Sequence, residues 1–409
     1  MAPRRPPLVG SLEGRSARTV DGVKGRSGTR LPAALLAGLL AGVVLTGCST
    51  DGYTAAGPFR PLPEGAPPEV GPPTTAAPVP SPEGPANPGS GRDAGDPNVV
   101  ASGLSVPTGL VVLPDGSALV AERDTGRILQ VFPDRAPAKL RMTVPGIDAT
   151  GEGGLLGLAL SPTFDEDGLL YAYLSTATDN RVVRFPIGGT PNPVFTGIPH
   201  GATHNGGGLL FGTDGHLFVG TGDTGRPALS EDPRSLAGKV LRIDVFGRPG
   251  GAAAVYTRGH RDVTALCRAA SGCVLATDVA APAGDDEVDA LVPGGDFGAP
   301  VPRGIPPLMT FPAAEAGLGG CAVDRTTLFA GALAGKEVHV VTLDSSGKVT
   351  GKPDRLLHAK YGRLRTVVLG GDGALWITTS NRDGVGTPAK DDDKVLRVLP
   401  PSSQADSPL

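Results

Sequence analysis

From residue 97 onward the chain repeats one pattern of apolar and polar positions. An apolar segment runs into a turn, often Asp-Gly, a second apolar segment follows, and a third comes after a Gly or Asp with an Arg or Lys. Asp-Gly between alternating apolar residues indicates a β-hairpin, because both central residues of the turn need a positive φ. Copies of the pattern are GLVVLPDGSALVAERDTGRILQV from Gly109, GLALSPTFDEDGLLYAYLSTATDNRVVRF from Gly157, GLLFGTDGHLFVGTGD from Gly208 and VVLGGDGALWITTSNRDG from Val367.

The spacing of these copies predicts the architecture. The first Asp-Gly pair begins at Asp115 and the last at Asp372, so five intervals cover 257 residues, about 51 each. Repeats of about 50 residues with four short strands are typical of propeller blades. Six such units fit the 304 residues from 97 to 400. We therefore expect an all-β fold, a six-bladed β-propeller of four-stranded antiparallel blades, with a disordered tail at 401–409.

An apolar run precedes the repeats at residues 31–45, LPAALLAGLLAGVVL, with Arg26 and Arg30 just before it. Its length is typical of the apolar region of a signal peptide and too short for a comfortable membrane span. The run ends in a Leu-Thr-Gly-Cys sequence at Cys48 that looks like a bacterial lipobox. We expect residues 1–47 to be a lipoprotein signal peptide, with the true start downstream of Met1, and Cys48 to carry the lipid.

Residues 49–96 contain 12 Pro among 48 residues, with Ala, Gly, Thr and Ser between them. Such a segment buries too little apolar surface to offset its chain entropy, so residues 48–96 are predicted to be a lipidated, disordered tether. The propeller is then expected outside the cytoplasm, anchored to the outer face of the cell membrane.

The charge balance narrows the functional classes. The chain has 37 Lys and Arg against 41 Asp and Glu, a formal net charge of −4. A nucleic-acid binder needs a basic surface, so we expect no nucleic-acid partner. We expect a monomer.

Three cysteines lie in the predicted propeller, where an oxidising compartment permits disulfides. Cys267 and Cys273 flank Arg-Ala-Ala-Ser-Gly, a turn-rich stretch between two apolar segments. We predict a disulfide between these two residues and a buried free thiol at Cys321. No His or further Cys has the spacing of a zinc site nearby.

Three places carry candidate chemistry. His204 precedes a Gly run, and a His beside a pocket exchanges a proton near neutral pH; the alternative is a His that merely caps a loop. Arg261 either holds an anion in a bidentate fork or pairs with an Asp between blades. Arg363 and Arg365 alternate along one strand, so both face the same side and favour an anionic ligand.

Several short motifs together resemble one known family, the soluble pyrroloquinoline-quinone (PQQ) dependent glucose and aldose sugar dehydrogenases. The resemblance covers residues 98–399. With its lipobox and Pro-rich tether, the whole chain is similar to the actinobacterial LppZ-type lipoproteins. In chain order the motifs are EGGLLGL from Glu152, THNGG from Thr203, GD from Gly222, LAGKVLR from Leu236, GHR from Gly259, DEV from Asp286, PGGDFG from Pro293 and GRLR from Gly362.

The resemblance implies a six-bladed propeller with PQQ and Ca²⁺ over the mouth of the channel. It implies that His204 removes the proton from the anomeric hydroxyl while hydride passes to the quinone. Arg261 would stabilise charge on the quinone oxygens, and Arg363 and Arg365 would hold its carboxylates. Glu152 would lie at the sugar rim. Calcium ligands would include the backbone carbonyls of Ala281 and Pro282, where a Gly-Pro pair is only half matched.

The sequence departs from the family pattern at several cofactor or substrate positions. Thr203 stands where an Asp precedes the catalytic His, and Thr does not orient an imidazole as a carboxylate does. Thr224 replaces a Gln, and Asp262 replaces an Asn and adds negative charge near an anionic cofactor. Ala334 replaces a Lys, although Lys336 is two residues away and is expected on the same strand face.

Two functions therefore remain open. The first is a membrane-anchored quinoprotein that oxidises an aldose or related sugar with PQQ and Ca²⁺ and passes electrons to a membrane acceptor. The alternative is a catalytically inactive propeller that binds a ligand or protein at the cell surface. The enzyme requires His204, Arg261 and Arg363 to converge at one end of the channel.

Overall fold

The computed structural model describes residues 95–279, 285–299 and 304–400. Within these ranges the chain forms 24 strands, which assemble into six four-stranded antiparallel sheets. The strands are β1 (Val99–Ser102), β2 (Pro107–Val112), β3 (Ala118–Glu122), β4 (Arg127–Val131), β5 (Lys139–Thr143), β6 (Leu155–Leu160), β7 (Leu169–Ser175), β8 (Asn180–Pro186), β9 (Asn192–Ile198), β10 (Leu209–Phe211), β11 (Leu217–Gly220), β12 (Lys239–Ile243), β13 (Val255–Arg258), β14 (Val263–Arg268), β15 (Val274–Asp278), β16 (Asp286–Ala290), β17 (Met309–Phe311), β18 (Leu318–Asp324), β19 (Thr327–Ala332), β20 (Glu337–Leu343), β21 (Val349–Leu356), β22 (Leu364–Leu369), β23 (Leu375–Thr379) and β24 (Lys394–Val398).

The sheets are the blades of a propeller. Blades 1 to 5 each use four consecutive strands, from β2–β5 in blade 1 to β18–β21 in blade 5. Blade 6 has the order β1-β24-β23-β22, so the first strand of the fold pairs with the last one and closes the ring. The predicted six-bladed propeller of four-stranded antiparallel blades is confirmed.

The innermost strands β2, β6, β10, β14, β18 and β22 lie side by side around the channel. Glycine permits this close approach, because a Cβ on Gly157 would meet the carbonyl oxygen of Gly207 at 2.0 Å. At Gly320 it would meet the backbone nitrogen of Val367 at 2.3 Å. The high Gly content of the repeats therefore follows from the packing of strands near the axis.

Apolar side chains fill the space between neighbouring blades. Between blades 6 and 1, the fully buried Trp376 packs with Val120 and Val131, among others. A turn is present at Asp115, where Leu113 N–H donates to the Ser117 carbonyl at 2.7 Å. Only Gly116 has a positive φ, 81°, so the expectation of a positive φ at both residues is wrong for Asp115. The sequence repeat thus corresponds to a hairpin in each sheet and a core between sheets.

The cysteine pairing differs from the prediction. Cys267 is bonded to Cys321, with a Cα–Cα distance of 5.6 Å, so the predicted Cys267–Cys273 disulfide and free Cys321 thiol are wrong. The hairpin register places Cys267 opposite Leu275, while Cys273 lies nearer the turn, opposite Ala269. The disulfide instead joins β14 to β18, the innermost strands of adjacent blades.

Helix is confined to two short segments of the described chain, α1 (Phe164–Asp167) and α2 (Ala228–Glu231). Among the described residues, no helix has the length and apolar character needed to cross a membrane. The predicted signal peptide, Cys48 and the tether up to residue 94 lie outside the described residues, as does the tail at 401–409.

Candidate active site

His204 lies in the loop between β9 and β10, with a φ of 51°. Two glycines after it let the loop press against β11. A Cβ on Gly206, which has a φ of 74°, would meet the Gly220 carbonyl oxygen and Thr221 Cα at 2.6 Å. The THNGG sequence therefore positions the His204 backbone rigidly against the third blade.

Both ring nitrogens of His204 have a partner. Nδ1 lies 2.7 Å from Oδ1 of Asp223, and Nε2 lies 3.0 Å from Nη2 of Arg261. An ionised carboxylate only accepts and a guanidinium only donates, so the neutral ring carries its proton on Nδ1 and its lone pair on Nε2. The backbone N–H of His204 donates to Oε2 of Glu152 at 2.7 Å.

Asp223 orients the imidazole, a role that the sequence analysis assigned to no residue. It is 1 % exposed, and its Oδ1 also accepts the backbone N–H of Gly225 at 2.8 Å. Its hydrogen bond raises the pKa of His204, which burial opposes. Thr203, which stands where the family has an orienting Asp, is exposed, and the orienting carboxylate comes from Asp223 in the segment after β11. The Gly-Asp motif after an apolar segment was the available signal.

A buried ion cluster holds Arg261 in place. Its backbone N–H donates to both carboxylate oxygens of Asp278, at 3.0 and 3.1 Å. Asp278 lies 3.2 Å from Nδ1 of the fully buried His260, and Asp289 lies 3.4 Å from the same atom. These two carboxylates outweigh burial and raise the pKa of His260 to about 9. His260 is therefore an imidazolium near neutral pH, and we assign the cluster no metal.

A cavity of about 200 Å³ opens beside this loop at one end of the channel. All six blades contribute, mostly through the loops that lead into their innermost strands. Because these strands run in the same direction around the ring, their first residues meet at one end. The lining includes Arg123, Glu152, Leu156, Gly206, Asp262, Leu318, Leu333, Arg363, Arg365 and Asp383.

The predicted convergence is therefore present. Arg261 contacts His204 directly, and Glu152, which holds the His204 backbone, lines the same cavity as Arg363 and Arg365. Arg363 is fixed by Asp383, with Nε 2.9 Å from Oδ2.

Arg365 and Asp262 are charged groups of the cavity that lack an ion pair with the described residues. The guanidinium of Arg365 makes no hydrogen bond with them, and burial lowers its pKa. Burial, helped by the negative charge of Glu152, raises the pKa of Asp262 to about 7, while His204 opposes this shift. Both groups are thus available to a ligand in the cavity.

The structure does not place the remaining predicted site residues in the wall of this cavity. Thr224 donates its backbone N–H to the His204 carbonyl at 3.1 Å, but its hydroxyl faces Arg226. Lys336 is exposed in the turn between β19 and β20, not on a strand face, and Leu333 is the turn residue that lines the cavity. Ala281 and Pro282 lie outside the described residues.

A larger cavity, of about 610 Å³, lies beside blade 6 and is lined by Asp96, Arg135, Lys360 and Asp391 among others. None of the residues described along its wall was predicted for the site. Size alone therefore does not identify the candidate site. The smaller cavity, next to His204, is the one lined by the arginines predicted to bind an anion.

Comparison with known proteins identifies a family for this fold. The sequence matches the glucose/sorbosone dehydrogenase family over residues 104–305 and 323–387. A solved structure of the PQQ-bound aldose sugar dehydrogenase of Streptomyces coelicolor is 37% identical, with a TM-score of 0.70, and the match covers 74% of this chain and 96% of that one.

Two curated relatives are also sugar dehydrogenases. Quinoprotein glucose dehydrogenase B of Acinetobacter calcoaceticus is 29% identical over 252 residues, covering 50% of this chain and 52% of the relative. The chain thus spans about half the length of that protein. Aldose sugar dehydrogenase YliI of Escherichia coli strain K12 is 24% identical over 336 residues, covering 70% of this chain and 90% of the relative.

Proposed function

Because this chain belongs to the glucose/sorbosone dehydrogenase family, we propose that it is a quinoprotein that oxidises an aldose or a related sugar with PQQ as cofactor. One observation carries the proposal. His204, oriented by Asp223, presents its Nε2 lone pair toward Arg261 at the edge of a cavity lined by further arginines.

The residues of the cavity fit an anionic, planar cofactor. PQQ carries carboxylates and a flat ring system. Arg365 offers a half-buried guanidinium without an ion-pair partner among the described residues, and Arg363 lines the same cavity. Leu156 and Leu333 add apolar surface for a ring. When bound, PQQ supplies the acceptor for the two electrons and the hydrogen that leave the sugar as hydride.

His204 is the proposed general base. Its Nε2 takes the proton of the sugar hydroxyl, and Asp223 stabilises the imidazolium that results. Removal of this proton makes the oxygen alkoxide-like, which weakens the neighbouring C–H bond. A positioned base of this kind accelerates the reaction by about 10²- to 10⁴-fold.

The proposed role of Arg261 is electrostatic. Its guanidinium lies 3.0 Å from Nε2 of His204, which disfavours protonation of the ring before substrate arrives. A sugar hydroxyl must replace this contact before its proton can move to Nε2. Arg261 is then placed to stabilise negative charge that develops nearby.

Ca²⁺ is also part of the proposal, and its support is the resemblance to the family. Its proposed ligands, Ala281 and Pro282, lie outside the described residues. The requirement can be measured by adding Ca²⁺ or a chelator to the PQQ titration described below.

We also propose that the protein is exported and anchored through a lipid on Cys48, and passes electrons to an acceptor in the membrane. The support is the apolar run at 31–45 and the Leu-Thr-Gly-Cys sequence that follows it. A size shift and membrane release after Cys48→Ala would test the anchor.

The proposed activity is tested by titrating PQQ into the purified protein with Ca²⁺ and following the quinone absorbance, then adding a panel of aldoses. We expect binding and sugar-dependent bleaching. Binding without reduction by any sugar would favour the inactive binding module, and no binding at micromolar PQQ would reject the quinoprotein.

A further inference from the structure

Asp262 lies just before β14 and lines the candidate cavity, with only 8 % of its surface exposed. Its Oδ1 accepts the backbone N–H of Gly206 at 2.8 Å, and its own N–H donates to Oδ1 of Asp278 at 2.7 Å. The carboxyl group is thus fixed in place beside the loop that carries His204. Among the described residues it has no Lys or Arg in an ion pair.

The groups around Asp262 set its charge. Burial and the carboxylates of Glu152 and Asp278 favour the neutral acid, while His204 and the Gly206 N–H favour the carboxylate. The balance raises its pKa to about 7. The titratable or charged groups that face it are His204 and Glu152 on the loops before β10 and β6, Asp278 at the end of β15, Tyr173 on β7 and Arg365 on β22.

The proton on Asp262 decides the formal charge of the cavity. Three arginines line it (Arg123, Arg363 and Arg365), together with three carboxyl groups, Glu152, Asp262 and Asp383. The cavity wall is neutral when all three carboxyl groups are ionised and carries one positive charge when Asp262 is protonated. A protonated Asp262 also offers a hydrogen-bond donor to an anionic oxygen.

We propose that anion binding in this cavity is linked to a proton on Asp262, so that the neutral acid binds an anionic cofactor tightly and the carboxylate binds it weakly. The inference rests on the proposed quinoprotein function, since PQQ is the anion concerned. It also accounts for an Asp beside an anion site: the residue is compatible with the cofactor whenever it keeps its proton.

The test measures the Kd of PQQ for the full-length protein between pH 6 and 8.5. One linked proton predicts that affinity falls by up to about tenfold per pH unit above pH 7. Asp262→Asn keeps the acceptor for Gly206 and should bind with nearly constant affinity over this range. His204 also has a raised pKa, to which the hydrogen bond with Asp223 contributes most and Asp262 less. The same titration in His204→Gln separates the two groups, and this variant should keep the wild-type dependence of log Kd on pH.

Asp383→Asn is the matched control. It removes a carboxylate from the same cavity, but Asp383 accepts two backbone N–H groups and pairs with Arg363, which lower its pKa. Asp383 is ionised throughout this pH range. Asp383→Asn should therefore bind PQQ more tightly than wild type and keep the wild-type dependence of log Kd on pH.

Infrared difference spectra supply a readout without ligand. Burial also raises the pKa of Glu287 to about 7, so the spectra of wild type and Asp262→Asn are subtracted. The band of a protonated carboxylic acid that wild type has in excess of the variant should be present at pH 6 and disappear through about pH 7. The inference would be overturned by an equal dependence of log Kd on pH in wild type and Asp262→Asn, or by the absence of this band at pH 6. Either result would leave the proposed dehydrogenase activity standing. Absence of PQQ binding at every pH would overturn both.

Discussion

His204 and Asp223, 19 residues apart in the chain, share a 2.7 Å hydrogen bond between Nδ1 and Oδ1. This contact fixes the tautomer that leaves Nε2 as the proton acceptor, and it is the largest cause of the raised His204 pKa. The base of the proposed reaction is thus assembled from the loop before β10 and the segment after β11.

Replacement of Asp223 tests this pair. Asp223→Asn should lower kcat by about 10²-fold or more with little change in PQQ affinity, because the imidazolium loses its counter-charge. His204 acts as a base only when neutral, so activity is lost as pH falls through its raised pKa. Removing Asp223 lowers that pKa, and the acid limb of kcat should move to lower pH. Thr203→Ala, at an exposed position, is the control and should match wild type.

Arg365 is expected to dominate cofactor affinity. Arg365→Gln should raise the Kd of PQQ by at least about thirtyfold, since loss of one partner of a buried charge pair costs about 2 kcal/mol or more. Lys336→Ala should change the Kd by less than about twofold, because Lys336 is exposed in its turn. A reversed order of the two effects would show that the cofactor contacts the turn rather than Arg365.

The disulfide between Cys267 and Cys321 should contribute to stability. The bond closes a chain separation of 54 residues, for which chain entropy predicts about 4 kcal/mol. The double variant Cys267→Ala, Cys321→Ala should lose about 2–4 kcal/mol of unfolding free energy in urea. Peptide mapping without reduction should recover the cross-blade pair; a peptide joining Cys267 to Cys273 would contradict the structure.

The buried imidazolium of His260 predicts a pH-dependent stability. Its folded pKa of about 9 exceeds the usual value, so its contribution is complete below about pH 6.5 and is lost as pH rises through about 9. The unfolding free energy should fall by up to about 3 kcal/mol over this interval. Asp289→Asn removes one carboxylate and lowers the folded pKa of His260, so the loss should be smaller and should end at lower pH. A variant curve that superimposes on wild type would reject the ion cluster.

Local sequence patterns were sufficient for the fold. Asp115 and Asp372 mark hairpins at a constant period, and that period allowed only one ring size. The partners of Cys267 and His204 could not be obtained in the same way. Each contact joins two segments that are distant in the sequence. Their proximity depends on how blades and loops pack, which no local sequence pattern indicates.

The resemblance located His204, Arg261, Arg363 and Arg365 near one cavity. It did not predict that Asp223 would orient the imidazole, because the family pattern has its carboxylate directly before the His. Nor did it predict the charge of Asp262, which depends on burial and on carboxylates from other blades. Lys336 does not lie on the predicted strand face, because the backbone turns there, with a φ of 54°.

The most direct test of the account is single-turnover reduction of the PQQ-loaded protein by an aldose, followed by quinone absorbance, in wild type and His204→Gln. We expect the variant to bind PQQ with unchanged affinity and to be reduced at least about 10²-fold more slowly. Reduction of His204→Gln at the wild-type rate would contradict the central claim that this histidine removes the substrate proton.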